Sequence, residues 1–404
     1  MFESTCTTMA TGSKSILILV ENLPVPFDRR VWLEATTLHK AGYRVSIICP
    51  MGQYAKLHEV LDGISVYRYP LPSLGGIAGH LVEYAVALPV TFLLTWIVFF
   101  REGFDVVQSA NPPDFFFLIG GLFKLLGKKF VFDHHDLVPE TCETRWTGWK
   151  RAVTLGLSRL AERATFRTAD RVIATNESYR EIALTRGNVA PDHVVVVRSG
   201  PRLDRFRAVP PGPEPRNGQP YLVGYLGVMG PHDGLDYLLR AAAHIVHDLR
   251  RTDVHFVIIG GGDLYAELVA MNRALGLEPY VRFTGRIPDE ELIAVLEPAD
   301  LCVAPDPKDP LNDLSTMNKI IEYMAMAKPI VAFDLREARV SAGDTAVYAR
   351  CNDAVEFGDR IVELLAQPEQ RHGMGVRGRQ RFEEMLAWEH QEGALLRLYR
   401  ELLG

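Results

Sequence analysis

Cysteine, net charge and long apolar runs are all scarce in this sequence, and each scarcity excludes a class of protein. Five cysteines (Cys6, Cys49, Cys142, Cys302 and Cys351) are scattered over 404 residues. An odd, dispersed set makes no disulfide framework, and no two of them have metal-ligand spacing, so reduced thiols in a cytoplasmic setting are expected. The formal net charge of -6 gives no general affinity for nucleic acid, and none is expected as a partner. The opening MFESTCTTMATGSKS lacks the basic and apolar regions of a secretory signal, and residues 1–14 are expected to be flexible. The most hydrophobic run, Ala85 to Phe100, falls short of the roughly 20 residues that span a bilayer and contains Pro89. A buried or interfacial helix is expected there. No short-period repeat and no Asp-x-Asp metal motif is present.

What is present is alternation. Short β-branched runs (SILILV, RVSIIC, DVVQSA, KFVFDH, RVIATN, HVVVVR) alternate with helical patterns, as in parallel sheets built from βαβ units. Residues 203–220, LDRFRAVPPGPEPRNGQP, concentrate proline, glycine and charge and read as a linker. A second series follows: YLVGYLG, VHFVIIG, VRFTG, LCVAP, PIVAF and TAVYA. The expected fold class is α/β, with two Rossmann-like doubly wound domains, 15–202 and 221–380, facing across a cleft. A C-terminal helical stretch, 381–404, is expected to return to the first domain with Trp388 and Tyr399. Ligands of such domains bind beyond the carboxyl ends of the strands, so those residues carry the functional question.

The stretch STMNKIIEYMAM, 315–326, reads as a helix with Met317, Ile320, Ile321, Met324 and Ala325 on one face and Ser315, Lys319, Glu322 and Met326 on the other. The polar stripe is either a solvated surface or a ligand face. Gly260, Gly261 and Gly262 follow a strand. They serve either a tight turn or backbone approach to a phosphate. Arg286 follows the next strand. His134, His135, Asp136 and Glu140 crowd one loop; as a zinc site the set is incomplete, and hydrogen bonding to a hydroxyl-rich substrate suits it better.

Six segments in this order, VWLEATTLHKAGYRVSIICP, DHHDLVPE, GYLGVMGPHDGLDYLLRAA, VIIGGGDLYAEL, VRFTGRIPDEEL and LSTMNKIIEYMAMAKPIVAF, resemble the retaining glycosyltransferases of family 4, which have the GT-B fold. The resemblance is nearest to the branch that builds bacterial surface polysaccharides on lipid carriers. It implies transfer of a sugar from a nucleoside diphosphate, UDP favoured, to an acceptor hydroxyl with retention, without metal or other cofactor. The leaving phosphate itself can take the acceptor proton. Glu322 matches the acid that grips the donor ribose, and His135, with Asp136, the histidine that contacts donor sugar or acceptor. The donor side is carried by Gly227, Gly230, Gly234, Gly260, Gly261, Gly262, Arg286, Ser315, Thr316, Asn318, Lys319 and Glu322, and the acceptor side by Asp28, Arg29, Arg30, His134 and Glu140.

The sequence departs from the family in two places. Leu314 stands where the helix's first acid is usual, with Asp313 one residue out of register, and Val228 and Asp233 stand where an arginine and a lysine usually neutralise the diphosphate. Lys319, the amides near Ser315 and Thr316 or around Gly230 to Gly234, and Arg286 are the expected substitutes. Trp146 and Trp149 interleave with Arg145, Lys150, Arg151 and Arg159, with Lys124, Lys128 and Lys129 nearby, a mix suited to an anionic membrane surface. The expected enzyme therefore sits peripherally at the inner face of the plasma membrane and extends a lipid-linked saccharide. The alternatives are a nucleotide-sugar 2-epimerase and a non-catalytic partner in a polysaccharide assembly complex.

Overall fold

The computed structural model describes residues 13–72, 76–206 and 216–404. Most of the expected flexible start and the middle of the expected linker lie outside them. The chain divides into two compact units: one ends at Val197 and regains Glu392–Gly404, and the other is Arg198–Gln391.

The first unit holds strands β1 Ser15–Leu19, β2 Arg44–Pro50, β3 His58–Leu61, β4 Ile64–Tyr69, β5 Val106–Ala110, β6 Lys129–His134, β7 Arg171–Ala174 and β8 Val194–Val196 in the order β3-β4-β2-β1-β5-β6-β7-β8. All neighbours are parallel except β3 and β4. This hairpin, joined through Asp62 and Gly63 at positive φ, escaped the sequence reading because β3 is an exposed edge strand without a buried run. Its helices are α1 Arg29–Lys40, α2 Gly76–Arg101, α3 Phe117–Leu125, α4 Val138–Arg145, α5 Gly148–Thr168 and α6 Glu177–Thr185.

The second unit is a six-stranded parallel sheet of β9 Tyr221–Leu226, β10 Val254–Ile259, β11 Val281–Gly285, β12 Leu301–Ala304, β13 Ile330–Phe333 and β14 Ala346–Ala349, ordered β11-β10-β9-β12-β13-β14. Helices α7 Leu235–Ala243, α8 Tyr265–Ala274, α9 Asp289–Leu296, α10 Asn318–Ala325, α11 Arg336–Ala342, α12 Ala354–Leu365 and α13 Pro368–Arg381 accompany it, and α14 Trp388–Leu403 ends the chain. β9, β10, β12 and β13 are buried almost throughout, as strands covered on both faces must be. The fold is the expected pair of Rossmann-like α/β sheets.

Three expectations change. The apolar run belongs to a continuous helix, α2, which passes through Pro89; Pro89 and Ala85, whose carbonyl it leaves without its helical partner, are both on the exposed side. By length and composition alone, Val82–Arg101 suffices to cross a membrane, and only 22% of its apolar window is buried. The start of the expected linker is no tether, because Phe206 is buried in the second unit's core. The return to the first unit comes at Glu392. Leu395, Leu398 and Tyr399 are buried there, whereas the Trp388 amide bonds to the Pro201 carbonyl within the second unit.

Candidate functional site

In the first unit, polar groups gather at the carboxyl end of β6. The two-residue period of an extended chain sends Asp133 and His135 to the same side. Arg30, in the first turn of α1, donates from Nη2 to Asp133 Oδ1 at 2.8 Å and from Nε to Oδ2 at 3.1 Å. Burial favours the protonated Asp133 carboxyl, but the Arg30 and His135 charges outweigh it and hold the group well below the usual carboxylate range. His135 Nδ1 lies 3.0 Å from Asp133 Oδ2. Burial works against the imidazolium; the Asp133 carboxylate overcomes it and raises the His135 pKa. Among the described residues Nε2 makes no hydrogen bond, and the side chain is 13% exposed, so Nε2 can meet a ligand oxygen. Asn111 clamps the loop: its Oδ1 accepts from the amides of His135 at 2.8 Å and Asp136 at 3.0 Å. Asp133 and Asn111 were missed; a charged residue inside a buried strand was the available signal for Asp133.

Of the other acceptor-side expectations, His134, Glu140, Asp28 and Arg30 are held by contacts within their own unit. His134 is fully buried among Phe132, Phe166 and Tyr179, and burial pushes its pKa down to about 3. It is a core residue that no acceptor touches. Glu140 is buried and takes Arg186 in a two-pronged pair at 2.6 and 3.2 Å. Asp28 is buried and caps α1, accepting from the Val31 amide. Arg30 is committed to Asp133, to Glu34 at 3.1 Å and to the Val197 carbonyl at 2.9 Å. Arg29 is exposed at the start of α1.

In the second unit, the turns after β9 and β10 pack backbone on backbone. A Cβ at Gly260, whose φ is +133°, would stand 1.8 Å from the Gly227 carbonyl oxygen, and one at Gly262 would stand 2.6 Å from the Met229 oxygen. Close packing of the two turns therefore accounts for these glycines, without a ligand. Gly234, with φ +65°, presses against the Pro305 carbonyl. The Gly230 amide is taken by Asp233 Oδ2 at 3.1 Å. Arg286 is exposed and lies over Gly261, its Cγ 3.3 Å from where a Cβ would be.

The polar stripe proves to be two different things. The helix begins at Asn318, so Ser315 and Thr316 lie in the loop before it, and Ser315 Oγ donates back to the Leu311 carbonyl. Tyr323 fixes α10 against the sheet: its hydroxyl accepts from the Leu226 amide at 2.8 Å and donates to the Val303 carbonyl at 3.1 Å. Lys319 is buried, not solvated. Its Nζ meets Asp306 Oδ1 at 2.6 Å, Tyr225 Oη at 3.2 Å and Asp233 Oδ1 at 3.3 Å. Burial alone would strip its proton, but Asp306, Tyr225 and Asp233 raise its pKa well above the usual value. The expectation that Lys319 carries the diphosphate charge is corrected, because two carboxylates already neutralise it. Asp233 stands where a lysine was expected, and the lysine that reaches this spot comes from α10. Glu322 is half-buried and accepts from Arg205 Nη1 at 2.5 Å; Arg205 also meets Asp289 at 3.2 Å. Burial raises the Glu322 pKa against the pull of Arg205. Arg205, read only as linker, is a further functional candidate that the sequence reading passed over.

Residues 28–200 match the family described as "Glycosyl transferase 4-like domain", and residues 220–367 the one described as "Glycosyl transferases group 1". A D-inositol 3-phosphate glycosyltransferase from Corynebacterium aurimucosum is 25% identical over 54% of this chain, and the match spans about half, 53%, of that protein. A D-rhamnosyltransferase, WbpZ, from Pseudomonas aeruginosa is 26% identical over 83% of this chain and 84% of its own. Among solved structures, a sucrose-phosphate synthase from Thermosynechococcus elongatus superposes with a TM-score of 0.77 at 19% identity, covering 96% of this chain and 99% of that one. Anabaena Alr3699/HepE in complex with UDP and glucose superposes with a TM-score of 0.70 at 14% identity, over 96% of this chain and 100% of that one. With one family match to each unit and the GT-B fold, the chain is a glycosyltransferase of the family 4 type.

Proposed function

We propose that this enzyme moves a sugar from a nucleoside-diphosphate donor, UDP favoured, to a hydroxyl of a lipid-linked saccharide, retaining the anomeric configuration and using no metal. The observation that carries the reading is His135: Asp133 holds its Nδ1, and its Nε2 is left to meet a sugar hydroxyl. In such a reaction the protein positions the partners and stabilises the charge growing on the leaving diphosphate. Glu322 suits the donor ribose hydroxyls, and Ser315 and Thr316 in the loop before α10, with Asn318 at its first position, suit the donor's polar groups. Arg286, which follows β11 and lies exposed over Gly261 at the glycine turn, suits the donor phosphates. A UDP-bound neighbour and a relative named as a rhamnosyltransferase support the donor class and sugar transfer.

Membrane contact is part of the proposal. Ala87, Thr91, Thr95 and Val98 bury one face of α2, while Leu93, Ile97 and Phe100 are exposed on another. A helix held by its own unit along one side suits lying in the interface better than crossing the bilayer. On α5, Trp149, Val153 and Leu160 are exposed beside Lys150 and Arg151.

Calorimetric titration with UDP tests the donor site. Arg286→Ala is expected to weaken binding about 10- to 100-fold, as loss of a charged hydrogen bond does. Glu322→Ala is expected to weaken it as well. Unchanged affinity in both variants overturns the assignment.

A further inference from the structure

The first unit contains a cleft of about 550 Å³ that none of the expected site residues except Asp136 lines. It opens beyond the carboxyl ends of the strands, between the loops after β1 and β5 and helices α2, α4 and α5. Its walls are largely apolar and aromatic, with Tyr84, Phe115, Trp146 and Leu157 among them. Its polar lining is one-sided: Glu21, Glu83, Asp114 and Asp136 contribute carboxylates, and Arg145 is the only cationic residue among the described lining.

Two of these carboxyl groups are left open in a way that buried polar groups seldom are. Glu21 is 5% exposed and has no hydrogen-bond or ion-pair partner among the described residues. Asp114 is 3% exposed; one oxygen accepts from Asn111 Nδ2 at 3.1 Å, and the other, Oδ2, has no partner. Burial and the facing Glu83 push the Glu21 pKa up to about 7, and burial raises the Asp114 pKa well above the usual carboxylate range. A hydroxyl donating into this end of the cleft would satisfy a carboxylate that water reaches poorly. A phosphate there would instead meet the negative charge that Glu21 carries in part near pH 7, in a low-dielectric site where repulsion is least screened.

We infer that this cleft is the acceptor site, and that it takes an amphiphile by an uncharged, hydroxyl-bearing end held at Glu21 and Asp114, with the apolar body along Tyr84, Phe115, Trp146 and Leu157. The inference rests on the glycosyltransferase reading above and narrows its acceptor: the end that reacts carries no phosphate, in contrast to a relative named for inositol 3-phosphate. Glu21 is a positioning group, since the departing phosphate can take the acceptor proton.

The test compares two probes that share a tail, n-octyl glucoside and n-octyl phosphate, titrated below their micelle concentrations into the full chain. Wild type is expected to bind the glucoside at one site at least 10-fold more tightly than the phosphate. Glu21→Ala is expected to lose at least 10-fold for the glucoside and to gain for the phosphate, while its UDP affinity stays unchanged. A reversal between heads is not something a merely structural defect produces. Glu21→Gln, nearly the same shape, gives the same readout should Glu21→Ala fail to fold. Equal or tighter binding of the phosphate by wild type, or glucoside binding untouched in both variants, overturns the inference. Donor turnover is measured separately: its absence would count against the parent reading, while the two titrations still decide the cleft.

Discussion

Lys319 shows how one side chain's role turns on its neighbours. An ammonium on a polar stripe could serve a ligand, but this one lies between Asp306 and Asp233 and is 7% exposed. Removing one partner of a buried pair leaves an uncompensated charge, which costs about 3–5 kcal/mol. Lys319→Met is therefore expected to lose stability of that order in urea denaturation, and adding Asp306→Asn is expected to restore a good part of it. A stable Lys319→Met protein with lost UDP affinity would return the lysine to the phosphate site. His134 makes a pH prediction. Its folded pKa, about 3, lies below the unfolded value near 6.5, so between them the unfolded chain binds the extra proton and stability falls as pH drops. Between pH 7 and pH 5 this amounts to about 2 kcal/mol, and His134→Phe, packing with the same aromatic rings, is expected to flatten that part of the stability curve. An equally steep loss in the variant would place the acid sensitivity elsewhere.

Among the elements, α10 and α2 depart most from their sequence patterns. In α10 the helical period correctly separates Ile320, Ile321 and Met324 from Glu322, yet it assigns Lys319 to the wet side. A long side chain beside the glycine turn can bend inward, and Gly227, with no Cβ, leaves the room for it: a Cβ there would stand 3.2 Å from Lys319 Cε. In α2 the apolar run is part of a helix longer than the pattern suggested, and the helix tolerates Pro89 because the orphaned carbonyl faces outward. Its exposed face leads to a measurement with vesicles. The chain is expected to sediment with anionic liposomes at low and moderate salt, and Phe100→Glu with Leu93→Glu to cut the bound fraction several-fold. Binding that survives both substitutions would remove α2 from the interface.

At the scale of the whole molecule, the chain completes its first unit with its last residues. Leu395, Leu398 and Tyr399 are all fully buried there, and Tyr399 donates to Gln108, which in turn donates to Glu34 at 2.6 Å. Burying three such side chains contributes roughly 5–9 kcal/mol, comparable with the total stability of a domain. A chain ending at Gln391 is expected to lose the cooperative thermal transition of the first unit while the second unit keeps its own. Two unchanged transitions in scanning calorimetry would show that the helix adds little.

Both sheets, their parallel character apart from the β3-β4 hairpin, and the family could be read from the sequence, because buried strands need unbroken β-branched runs and the glycine turns between strand and helix leave a local pattern. Asp136, His135, Glu322 and Arg286 could be located for the same reason: each follows a strand or lies on a periodic helix. Partners across long sequence separations could not. Only tertiary structure could decide that Asp133 orients His135, that Arg205 faces Glu322, that His134 belongs to the core and that Glu21 and Asp114 share one cleft. Hydrophobic periodicity is local, whereas the pairing of a buried charge depends on which distant side chain arrives beside it.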